Sequence, residues 1–143
     1  MRTIGKAWDA HNYELWTAAL CLVMGVPLVA RVAPSPNSIA TYLPSWALLA
    51  WGVILTLGGL CTVIGILWRY FRPNQFLAGL MVEKAGQFML GAACSSLCVA
   101  IAAYAGSRGF LVSGVFGGLG LAAVSRIRTI NKEHKIVQDH GDG

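Results

Sequence analysis

Residues 46–68 (WALLAWGVILTLGGLCTVIGILW) run without one charged side chain and have a tryptophan at each end. As a helix this stretch is about 34 Å long, slightly more than the ~30 Å hydrocarbon core of a bilayer. In hydrocarbon every backbone N–H and C=O must find its partner within the protein, which a helix provides and an open strand does not. Tryptophan rings favour the headgroup region, so Trp46 and Trp68 mark the two borders of the crossing. A chain that contains this segment is constrained to a membrane-spanning, helical fold.

The rest of the sequence has the same character. Only 12% of the 143 residues are charged, 56% are hydrophobic, and the mean hydropathy is +0.61, outside the soluble range for a single domain. The apolar runs predict an all-α polytopic protein with four transmembrane helices over residues 15–32, 46–68, 76–105 and 110–125. A short interfacial segment (1–14) precedes them and a basic tail (126–143) follows. Pro27 lies in the first span, where neighbouring helices can satisfy the carbonyl it frees. Arg31 interrupts any signal-peptide reading of that span. The Pro- and Ser-rich stretch 33–45 is a loop, and Pro73 stops the second helix.

The net charge of +5 sits at the ends of the apolar runs. Arg2, Lys6, Arg69, Arg72, Lys84, Arg126, Arg128, Lys132 and Lys135 fall on one side of the four-span arrangement, and Arg31 and Arg108 on the other. That asymmetry predicts both termini in the cytoplasm, with no nucleic-acid partner. Trp8, Trp46, Trp68, Arg69, Arg72, Arg126 and Arg128 are the expected interface anchors. Ile4, Trp8, His11 and Leu15 form a helical stripe before the first span. A second stripe, Ile127, Ile130, His134 and Val137, is expected to lie on the cytoplasmic leaflet, where basic residues attract anionic lipid. The histidines His11, His134 and His140 read as solvated.

Hydrophobic force between helices is weak in lipid, so small residues that permit close backbone approach do much of the packing. Gly91 with Ser95, and Ala92 with Ser96, provide such faces on the third helix. Gly114, Gly118 and Ala122 provide one on the fourth, and Gly58 with Gly59 a smooth patch on the second. These faces predict a tight hairpin of the last two helices, or a face left for another copy of the chain. Cys21, Cys61, Cys94 and Cys98 lie in apolar runs and read as packing residues; Cys94 and Cys98 alone make too sparse a set for a metal site.

Glu83 and Lys84 interrupt the third span, with Gln87 one turn further in. An ionisable group at membrane depth meets a partner or a water-filled cavity. Either Glu83 pairs with Arg69 or Arg72 while Lys84 extends to the headgroups, or Glu83 and Gln87 line a polar path or an oligomer contact. Glu14, at the start of the first helix, reads as interfacial. The sequence shows no phosphate loop, zinc-protease helix or nucleophile–base pair, so neither an enzyme nor a cofactor is expected.

Three pieces of the C-terminal half carry a resemblance: LMVEKAG (80–86) opening the third helix, the break GSRG (106–109) before a glycine-rich fourth helix, and the exit SRIRTI (125–130). With four closely spaced spans and a charged tail, the chain resembles the multi-span holins and lysis-cassette membrane proteins of phages that infect actinobacteria. The resemblance implies accumulation in the bacterial cytoplasmic membrane, self-association there, and timed permeabilisation or depolarisation during lysis. It carries over no catalytic residues. The alternatives are a non-enzymatic subunit or assembly factor of a larger membrane complex, and a small four-helix transporter.

Overall fold

The computed structural model describes residues 11–30, 44–105 and 109–141, and these are almost entirely helical. Four helices follow one another: α1 (Asn12–Val29), α2 (Ser45–Phe71), α3 (Phe76–Ala105) and α4 (Phe110–Gly141). All four are long and apolar enough to cross a membrane. Trp8, Ile4 and the 33–43 loop lie outside the described residues.

The helix boundaries follow local chemistry. Arg72 precedes Pro73, whose ring disfavours helical backbone in the residue before it, and Arg72 accordingly leaves the helix at φ −133°, ψ 74°. A single 3-10 turn, Pro73–Gln75, then feeds directly into α3. The Trp68 indole N–H donates to the Gln75 side-chain carbonyl at 3.2 Å, and the Arg72 guanidinium lies 5.9 Å from the centre of the Trp68 ring. These contacts fasten the turn to the end of α2. At the other end of the chain, α4 does not stop where its apolar run stops. It continues through Arg126 to Gly141, which makes it about 48 Å long for its 32 residues.

Neighbouring helices run antiparallel in a strict sequence: α1 packs along α2, α2 along α3 and α3 along α4, while α1 and α4 do not pack along one another. Gly65, Thr62 and Gly58 of α2 lie against Glu83, Gly86 and Leu90 of α3 in turn. The approach is close enough that a Cβ on Gly86 would stand 2.6 Å from the Thr62 backbone nitrogen. A Cβ on Gly65 would overlap the backbone of Glu83. Glycine is needed at these two positions so that the backbones can meet, as expected where packing substitutes for hydrophobic force. Further along the same pair, the Trp51 indole donates to Ser96 Oγ at 2.9 Å, and Ser96 donates in turn to the Ala93 carbonyl.

All four helices contribute to the core, which comprises Cys21, Leu55, Leu90, Ala93, Cys94, Leu97, Ile101 and Phe116. The exterior is apolar as well: Val23, Phe88, Leu111, Val115 and Leu121 are all exposed. A surface of this kind is unfavourable in water and suits hydrocarbon. Trp46 is 72% exposed at one end of α2 and Trp68 39% at the other.

The α3–α4 hairpin is tight, but its phase differs from the expected one. Ser113 donates to the Cys98 carbonyl at 3.0 Å, Gly120 lies beside Ser95, and Gly91 faces Ala123. Gly114 and Gly118 are exposed, with nothing within 4 Å of where a Cβ would be, and Ala92 is exposed on α3. Phe116, Ala123 and Ile130 are buried together on the packed face of α4, and that choice turns the 114–118 side outward. Ile130 is therefore part of the bundle and not of a leaflet-bound stripe.

A four-helix charge cluster as candidate functional site

Glu83 is fully buried, two turns into α3 from the α2–α3 turn. It does not face a single counterion. One carboxylate oxygen accepts from the Arg69 guanidinium of α2, and the other accepts from Nε of Arg126 of α4 at 2.8 Å. Arg126 Nε also lies 3.2 Å from the Glu14 carboxylate of α1, and its Nη1 lies 3.3 Å from Glu133. Glu133 closes the ring by accepting from Arg69 Nη1, again at 3.3 Å. Three carboxylates and two guanidiniums from four helices thus form one connected cluster.

His11 adjoins the ring. Its Nε2 is 3.4 Å from Arg69 Nη2, its Nδ1 is 3.8 Å from Glu14, and its ring meets Tyr70 edge-on at 6.1 Å. Formal charges leave the cluster one negative charge in excess when His11 is neutral, and balanced when His11 carries a proton. The Arg69 guanidinium is further covered by the Phe76 ring, 5.7 Å away. In a low-dielectric interior such pairing is what makes buried charge tolerable, because a lone ion there meets a large desolvation penalty.

This arrangement answers the question the sequence left open around Glu83. Glu83 takes Arg69 and not Arg72, and it takes Arg126 as well, so it is sealed within protein and lines no path. Arg69 and Arg126 were expected at the membrane border. Both are drawn into the bundle instead, because Glu83 offers each a buried carboxylate oxygen. Glu14 and His11 are likewise members of the cluster and not solvated interfacial groups. Lys84 is exposed, turned about 100° around the helix from Glu83 and so off the packed face. Arg72 and Arg128 are exposed and remain free to serve as anchors.

Gln87 has a different setting from Glu83. It is 3% exposed and lines a cleft of about 240 Å³ with Glu14 and Thr17 of α1 and with Ser125, Arg126 and Thr129 of α4. No hydrogen-bond partner for its amide occurs among the described residues. The sequence pointed to Gln87 by its depth, but it gave no sign that Glu14 and Thr129, far apart in the chain, would share its cleft.

The four cysteines remain packing residues. Cys21 and Cys94 lie in the core, and Cys98 is 3.3 Å from the Ser113 hydroxyl. Among the described residues no group of His, Cys, Asp and Glu has the make-up of a metal site.

The fold and the cluster define the class: a bundle of four helices, each long and apolar enough to cross a membrane, joined at one end by buried charge. No protein-family model, curated protein or solved structure matches the chain.

Proposed function

We propose that this chain is a holin-like protein of the bacterial cytoplasmic membrane, with both termini in the cytoplasm, that self-associates and permeabilises or depolarises the membrane during phage lysis. One observation carries the reading: the Gly114–Gly118 side of α4 has no partner among the described residues. The other helix glycines among the described residues are already in contact with a neighbour, with Gly25 against Gly52, Gly59 against Ala18 and Leu22, and Gly65 against Glu83. A smooth helix face directed at lipid is where a second copy gains close backbone contact. The excess of Lys and Arg at one end of the bundle supports the orientation.

The charge cluster fits this reading as an internal lock that keeps the unit intact while units associate. It fits a transporter less well, because the middle of the bundle is filled by apolar core and the charges lie at one end. The reading as a subunit of a larger complex uses the same open face and differs in what covers it.

Expression of the full chain in a bacterium tests the proposal, with growth and membrane potential followed over time. The expected result is abrupt growth arrest with depolarisation, lost in Gly118→Leu, which covers the open face without touching the packed one. Normal growth and potential at high expression would overturn it. Co-purification with an unrelated membrane protein at fixed stoichiometry would select the subunit reading.

A further inference from the structure

Between α3 and α4, outside the charge cluster, two adjoining hollows share Met81 and Lys84. The larger, of about 370 Å³, is lined by Met81, Lys84, Ala85, Phe88 and Met89 of α3 and by Ile127 of α4, so Lys84 is its one charged group. Its shape follows from Ala85, a small residue standing in one helical row between the long side chains of Met81 and Met89. The smaller hollow, of about 120 Å³, has a floor of buried Leu80 and Ile130 and a rim of Lys84, Asn131 and His134. None of these three rim side chains has a hydrogen-bond or ion-pair partner among the described residues.

No carboxylate lines either hollow, because Glu14, Glu83 and Glu133 are gathered in the cluster. Arg128 and Lys135, three residues before Asn131 and four after it, stand beside it on α4 and are exposed. The two hollows are also ordered along the helices. Asn131 and His134 lie at the charged end of the bundle, on the polar extension of α4, whereas the larger trough runs from Lys84 toward Met89, into the apolar length of α3.

We propose that these hollows together hold one anionic phospholipid, its phosphate against Lys84, Asn131 and His134 and an acyl chain in the trough. The phosphate meets a fixed positive charge and N–H donors at the rim, where a basic recess between spans favours an anionic headgroup. The flexible thioether chains of Met81 and Met89 can mould themselves to an acyl chain. A choline headgroup would bring its own cation to a rim already carrying Lys84, Arg128 and Lys135. A helix of a second copy would have to bury the Lys84 charge, which is costly without a counterion. The inference does not rest on the permeabilising reading, since it is tested by lipid retention on purified protein and not by membrane potential in cells.

Native mass spectrometry of the full-length protein in detergent provides the test, with phosphatidylglycerol and phosphatidylcholine of identical acyl chains. Phosphatidylglycerol is expected to be retained about tenfold better, the scale of one charge-assisted hydrogen bond. Lys84→Gln should remove that preference and Lys84→Arg should keep it. Arg72→Gln takes the same charge from the end of α2, away from both hollows, and should leave the preference unchanged. Ala85→Leu fills the trough from an exposed position and should lower the retention of phosphatidylglycerol with the rim intact. Equal retention of the two lipids by the parent protein would overturn the proposal. So would equal losses in Lys84→Gln and Arg72→Gln, which mark diffuse attraction by the basic end, undiminished retention in Ala85→Leu, or displacement of the lipid by millimolar glycerol 3-phosphate, which marks a site for free phosphate.

Discussion

Nε of Arg126 lies 2.8 Å from Oε1 of Glu83, although 43 positions separate them in the chain. Through this contact and the Arg69–Glu83 pair, one carboxylate joins α2, α3 and α4, and the Glu14–Arg126 contact brings in α1. The bundle is closed electrostatically at the end where α1 and α4 are not closed by packing.

Removing the centre of that cluster leaves the two guanidiniums bridged only by Glu133, whose side chain is partly exposed. Glu83→Gln is expected to destabilise the protein by about 3–5 kcal/mol, the cost of breaking a buried ion pair from one side. Unfolding in mixed micelles measures it. Lys84→Ala, at the next residue but exposed, should stay within about 0.5 kcal/mol of the parent. Similar losses for the two variants would show that Glu83 is not held as described.

The α2–α3 contact is a matter of space. Gly86→Ala places a Cβ 2.6 Å from the Thr62 backbone nitrogen, and backbone there cannot yield as a flexible side chain would. Overpacking of this kind costs about 1–3 kcal/mol, and Gly86→Val should cost more. A lowered unfolding midpoint in detergent checks both variants.

Trp51 and Ser96 form a side-chain hydrogen bond between α2 and α3 at 2.9 Å. Such bonds within membranes are worth about 0.6 kcal/mol on average, because partners exist in the unfolded membrane state too. A double-mutant cycle of Trp51→Phe and Ser96→Ala should therefore return a small positive coupling, no more than about 1.7 kcal/mol. A coupling of zero would mean that the pair does not form in the folded protein.

The open side of α4 predicts a separation of folding from association. Gly118→Leu should leave helicity and thermal stability at parent values, since nothing lies within 4 Å of a Cβ at that position. In the same protein, cross-linking in membranes should fall from oligomers to monomer. Gly120→Leu should do the reverse and damage the fold itself, because a Cβ there already meets Ser95 Oγ at 2.8 Å.

Much of this architecture is legible along the chain. Residues 46–68 announce a helix long and apolar enough to cross a membrane, Pro73 stops the second helix and forces the α2–α3 turn, and α3 runs from Phe76 to Ala105 as its composition indicates. Charge at the borders of apolar runs is legible too, but its use is not. Arg69 and Arg126 carry the pattern of interface anchors, and sequence alone cannot distinguish an arginine reaching for headgroups from one reaching for a glutamate on another helix. The phase of α4 is hidden for a related reason. Its glycines recur on more than one side, and the side that packs is chosen by Phe116, Ala123 and Ile130 acting together with Arg126.

The sequence by itself determined that four helices form and where they turn, because hydrocarbon-compatible length, proline and backbone self-satisfaction are local properties. Only the tertiary structure decided that Glu83 is sealed between Arg69 and Arg126, that Gln87 shares a polar cleft with Glu14, and that Gly114 and Gly118 face outward. Those outcomes depend on the rotation of each helix about its own axis. That rotation is set by the joint burial of groups tens of residues apart, a quantity no local pattern contains.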